Sequence, residues 1–85
     1  MTEAKKQQTR NRIGQRIAKL RKLYGFSQEQ LSERAGLQRS HLSRIEAGKY
    51  AVNIETLQAI AEALYMTVDI IDTRLQNLAL LEERP

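Results

Sequence analysis

Apolar residues recur at three- and four-residue spacing along most of the chain, which is the repeat of helices that each bury one face. Ile13, Ile17, Leu20 and Tyr24 fall at i, i+4, i+7 and i+11 and predict a first helix closed by Gly25. The second helix carries a full start signal. Ser27 is a good N-cap, Gln30 holds the reciprocal capping-box position, and Phe26 and Leu31 occupy the two ends of a hydrophobic staple. It runs only to about Ala35 before Gly36, and a third helix, roughly Arg39–Ala47, ends at Gly48. Asn53 caps a fourth over Ile54–Tyr65, with Leu57, Ile60, Ala61 and Leu64 facing inward, and Thr67 can cap a fifth from Val68 to about Glu83. The expectation is an all-α fold of five helices. Residues 1–9 read as a flexible basic arm, 10–72 as the folded domain, and 73–85 as a C-terminal helical extension.

Two short helices joined by a tight turn at Gly36 are the informative feature. Leu31, Ala35, Leu37, Leu42 and Ile45 are placed to lock the pair at a fixed angle, and Gly36 gives the turn its backbone freedom. On a helical wheel Leu42 and Ile45 mark the buried side of the third helix. Ser40, Ser43 and Arg44 then point nearly opposite, with Arg39 at the edge. Short serines allow a close backbone approach, and arginine can donate two parallel hydrogen bonds to guanine O6 and N7. That face suits the major groove of DNA, although the same residues also fit an ordinary solvated surface.

Charge sharpens this picture. Residues 1–50 carry 12 Lys and Arg against 4 Asp and Glu, whereas residues 51–85 carry 2 against 6, so the net +4 is divided into a basic front and an acidic back. An anion-binding half and a separate assembly half are expected. The 85 residues are enough for one domain, and burial in so small a domain is modest unless a partner adds interface. The absence of cysteine excludes disulfides and thiolate metal sites and points to a cytoplasmic location. No apolar run approaches a membrane span, and the first ten residues lack the apolar segment of a signal peptide. His41 is the sole histidine, so a metal site is not expected, and its place is a partly buried or phosphate-facing one. There is no catalytic constellation and no nucleotide-binding motif, so neither enzymatic activity nor a cofactor is expected.

Four segments in order make the chain resemble a known family. They are IAKLRKLYGFSQEQLSERAG, LQRSHLSRIEAGKY, IETLQAIAEAL and MTVDII, within Ile13–Ile71. Together they resemble the helix-turn-helix domain of lambda-type phage repressors and of the XRE family of bacterial regulators. The resemblance implies that Gln28 binds a phosphate and braces the third helix. It implies that Gln38, Arg39, Ser40 and Arg44 meet base edges or flanking phosphates, with Gln38 assigned to phosphate. Ser43 joins the base-reading set from the wheel. Lys49 and Tyr50 match backbone-contacting positions, and Arg21 and Glu46 match a structural ion pair between the first and third helices. The chain departs from the pattern at Gln38, where a Ser or Thr cap is usual, and at Ser32, where alanine is common. Ala51 and Asn53 replace a proline-containing loop, and Tyr65 replaces a glycine.

Beyond Asp72 the resemblance ends. Val68, Ile71, Leu75, Leu78 and Ala79 form a narrow stripe with Leu81 at its border, and exposed leucines at that density call for a partner. A twofold dimer through Ile71, Leu75, Leu78 and Leu81 is the simplest closed solution. Folding back of the fifth helix on its own domain, or a strand over residues 66–72 as in some antitoxins, are the alternatives. The function expected is a DNA-binding transcriptional regulator, a repressor, holding an inverted-repeat operator in double-stranded DNA as a homodimer. An antitoxin with a toxin protein as partner, a restriction-modification controller, and a protein-interaction adaptor stand beside it.

Overall fold

Four helices make up residues 2–64, the part of the chain that the computed structural model describes: α1 (Glu3–Leu23), α2 (Gln28–Ala35), α3 (Arg39–Glu46) and α4 (Ile54–Ala63). There is no strand among the described residues. α2 begins as its sequence demands. The Ser27 hydroxyl accepts from the Gln30 backbone N–H at 3.0 Å, and the Gln30 side chain accepts from the Ser27 N–H at 2.9 Å. Asn53 caps α4 in the same manner, accepting from the Thr56 N–H at 2.8 Å. Gln38 starts α3 without a side-chain capping bond. Gly36 ends α2 in the left-handed conformation at φ 71°, which lets the chain turn sharply into α3.

The start of α1 corrects the expectation of a flexible arm over residues 1–9. Thr2 is an N-cap, its side chain accepting from the Lys5 N–H at 3.1 Å, and the helix runs unbroken from Glu3. This stretch has no large apolar residue to reveal an inner face. A distant contact holds it instead: Gln7 Nε2 donates to the Gly48 carbonyl at 2.8 Å and to Asn11 Oδ1 at 2.9 Å. At the other end, Tyr24 is not on the inner face. α1 stops at Leu23, the chain turns through Gly25 at φ 80°, and Tyr24 is left 49% exposed as the C-cap. α3 ends at Glu46 and α4 at Ala63, slightly before the expected ends.

Leu31, Leu42, Ile45, Ile60 and Leu64 are fully buried, and with Ile17 and Ala63 they form one core to which all four helices contribute. Phe26 and Leu31, the staple pair, both pack in or against it. Each such large side chain contributes about 1.5–3 kcal/mol through burial. α1 crosses α3 at Gly14, where an added Cβ would stand 2.6 Å from the Glu46 carbonyl oxygen. Ser32 is buried without penalty because its hydroxyl donates to the Glu29 carbonyl at 2.9 Å. No helix among the described residues is long and apolar enough to cross a membrane. Tyr65, the Thr67-capped fifth helix and the stripe of Ile71, Leu75, Leu78 and Leu81 lie outside the described residues.

Candidate nucleic-acid interface

The angle between α2 and α3 is fixed from below by the core and from the side by one polar cluster. Arg21 of α1 grips Glu46 of α3 with two bonds, Nε to Oε2 at 2.8 Å and Nη2 to Oε1 at 3.1 Å. Its third nitrogen, Nη1, donates to the Phe26 carbonyl at 2.8 Å. Gln28, at the first position of α2, donates Nε2 to Glu46 Oε1 at 3.0 Å. Both charges are largely out of water, the side chains of Arg21 and Glu46 being 11% and 6% exposed. Such a bidentate pair has directional bonds as well as Coulomb attraction. The cluster therefore ties three helices together at the carboxyl end of α3. Gln28 is half-buried and engaged with Glu46, the bracing part of what the resemblance implied for it.

The opposite side of α3 faces outward. Arg39, Ser40 and Arg44 are exposed, whereas Ser43 is half-buried. Gln38 is exposed at the N-cap, and Lys49 and Tyr50 are exposed just past the helix. Tyr50 closes the face at one end. Arg44 Nη1 donates to its hydroxyl at 3.1 Å, and the guanidinium carbon lies 5.7 Å from the ring centroid. The His41 ring meets the same tyrosine edge to face, with centroids 5.8 Å apart and planes at 88°. Gln38, Ser40, His41, Arg44 and Tyr50 thus line one open depression of about 280 Å³. His41, for which the sequence offers a partly buried or a phosphate-facing place, is half-buried and lines this face, although it is not in the set read from the wheel or the resemblance. Its i, i+3 spacing to Arg44 and to Gln38 was the available signal. Among the described residues no group of acidic, histidine or cysteine side chains could hold a metal.

A short capped helix, a left-handed glycine turn and a second short helix with a polar outer face make a helix-turn-helix unit. The chain belongs to the helix-turn-helix family of the XRE, lambda-repressor-like type, whose sequence profile matches residues 17–71. It is 44% identical over 59 residues to the immunity repressor protein of Bacillus phage phi105, a match spanning 69% of this chain and 41% of that repressor. It is 34% identical over 55 residues to an uncharacterized HTH-type transcriptional regulator, y4dJ, of Sinorhizobium fredii, covering 65% of this chain and 71% of the regulator. Among solved structures, the restriction-modification controller protein C.AhdI from Aeromonas hydrophila superposes with a TM-score of 0.67 at 34% identity, over 68% of this chain and 88% of that one. A variant of the controller C.Esp1396I gives a TM-score of 0.66 at 24% identity, covering 88% of this chain and 96% of the controller, a likeness of fold alone.

Proposed function

We propose that the protein is a sequence-specific DNA-binding transcriptional regulator, acting as a repressor, that lays α3 in the major groove. The observation that carries this reading is the outward face of α3, where Arg39, Ser40 and Arg44 are exposed on a helix held rigid by the Arg21–Glu46–Gln28 cluster. In this reading Arg39, Ser40, Ser43 and Arg44 read base edges, and Gln28, Gln38, Lys49 and Tyr50 bind phosphates. The kinship with a phage immunity repressor supports repression over activation. The protein works in the cytoplasm as a binding protein, without catalysis or cofactor. A homodimer through Ile71, Leu75, Leu78 and Leu81 doubles the readout and calls for an inverted repeat, its half-site centres about 34–36 Å apart or a multiple of that.

One observation favours a narrower second reading. The match to C.AhdI spans most of that controller, which supports a role as a restriction-modification controller. No observation favours the antitoxin reading with its toxin partner. Fluorescence anisotropy with labelled duplex DNA at rising salt tests the common ground. Neutralising each phosphate lowers log K by about 0.9 per unit of log salt, so a steep linear fall is expected. A flat response between low and moderate salt would remove the nucleic-acid reading altogether.

A further inference from the structure

The loop that follows α3 is placed to touch the DNA backbone, yet from Tyr50 to Asn53 it carries no charge. Lys49 is the loop's own cation, and two further cations beside it come from another element. The amino-terminal turns of α1 run alongside this loop, and Lys6 and Arg10 line a groove of about 410 Å³ shared with Tyr50, Ala51 and Val52. Tyr50 is also a wall of the depression on α3, so the two surfaces adjoin at that ring. The extension is fastened there. Gln7 bonds the Gly48 carbonyl, and Gly48, at φ 76°, leaves no room for a Cβ against the Asn11 side chain.

We propose that the amino-terminal turns of α1 form a second DNA-backbone contact, in which Lys6 and Arg10 bind phosphates flanking those met at Lys49 and Tyr50. The proposal rests on the DNA-binding reading above and adds a site to it. The charge of the groove's rim selects an anion. Because the groove continues the α3 surface past Tyr50, the anion is the sugar–phosphate strand leaving the major groove. Lys6 is positioned 3.5 Å from Glu3 in an exposed pair. Such pairs are weak, so the lysine can exchange partners for a phosphate. Arg10 donates to the Gln7 side-chain oxygen at 3.5 Å, a long contact, and itself lines the groove. A helix presents the two cations at i and i+4, so both point the same way without the ordering entropy of a flexible arm.

The test compares two double variants of the full chain by anisotropy across a salt series. One is Lys6→Gln with Arg10→Gln. The other is Arg12→Gln with Lys19→Gln, which removes the same charge from exposed positions on the far side of α1. Glutamine keeps helix propensity, and circular dichroism confirms that both variants fold. The first variant is expected to lower the slope of log K against log salt by about 1.8, two phosphates' worth, for operator and random duplex alike. The second is expected to keep the parent slope. Equal slopes in the two variants would overturn the second contact while leaving the parent's own DNA binding intact. A parent that shows no salt-dependent binding would instead overturn the underlying reading.

Discussion

Arg44 donates to the Tyr50 hydroxyl at 3.1 Å while its guanidinium lies over the same ring, so the candidate reading arginine is held by a residue six positions along. A long side chain ordered before binding loses less entropy when it meets a base. Tyr50→Phe keeps the ring and removes the hydrogen bond, whose net value is about 0.5–1.5 kcal/mol. The expected outcome is an affinity for the preferred site lowered by about two- to tenfold. Affinity for random duplex should fall too, because Tyr50 is also proposed to bind a phosphate, but by less than affinity for the preferred site. Equal losses on both duplexes would make Tyr50 a phosphate ligand only.

The buried cluster gives a sharper expectation. Glu46→Ala leaves the Arg21 guanidinium, 11% exposed, without its carboxylate, and a broken buried pair costs about 3–5 kcal/mol. At about 4–8 °C per kcal/mol for a domain of this size, the melting temperature should fall by more than about 12 °C. Gln28→Ala removes one bond from the same carboxylate and should cost clearly less. Thermal denaturation by circular dichroism ranks the variants, and an unchanged Glu46→Ala midpoint would contradict the structural role.

Two glycines are needed for different reasons, and alanine should destabilise at each. In a helix interior, alanine should stabilise by about 1 kcal/mol over glycine. At Gly14 the added methyl meets the carbonyl oxygens of Ile45 and Glu46, backbone atoms that cannot rotate away. Overpacking of this kind costs about 1–3 kcal/mol, so Gly14→Ala should destabilise despite its better propensity. At Gly36 there is open space, and the cost of about 1–2 kcal/mol comes from the left-handed backbone alone. Urea unfolding measures both. A more stable Gly14→Ala variant would show that α1 and α3 do not approach as closely as described.

These elements differ in how far they could be read from the sequence. The capping box at Ser27 and Gln30, the turn glycines and the inward Leu31, Leu42, Ile45, Ile60 and Leu64 are local signals, and they reappear as hydrogen bonds, positive φ angles and burial. The helical start at Glu3 was not legible. Its stabilising contact joins Gln7 to Gly48, 41 positions away, and its polar composition resembles a solvated arm. Tyr24 matched the helical spacing but fell one residue beyond the last helical turn. In the candidate site, Arg39, Ser40 and Arg44 followed from the wheel alone. The meeting of Arg21 with Glu46 needed the family resemblance, since no local pattern links residues 25 apart. The gathering of His41, Arg44 and Tyr50 depends on how the chain turns after Gly48, which the residue pattern does not encode.

The proposed dimer has its own check. Replacing Leu75 and Leu78 with glutamate puts charge in the apolar stripe, where an interface would have to desolvate it. Sedimentation should show a dimeric parent and a monomeric variant with a helicity close to the parent's, binding a single half-site weakly. A variant that remains dimeric, or a parent that is monomeric at tens of micromolar, would move the interface away from Leu75 and Leu78.

The central claim is that the outer face of α3 reads bases, and selection from a random duplex pool tests it most directly, run in parallel with the parent and with Arg44→Ala. The parent should enrich one inverted-repeat motif. Arg44→Ala should enrich the same motif with its preference lost at one base pair in each half-site, a discrimination of about 1–3 kcal/mol. No enriched motif from the parent, or an Arg44→Ala variant that keeps every base preference while binding all sequences more weakly, would contradict it.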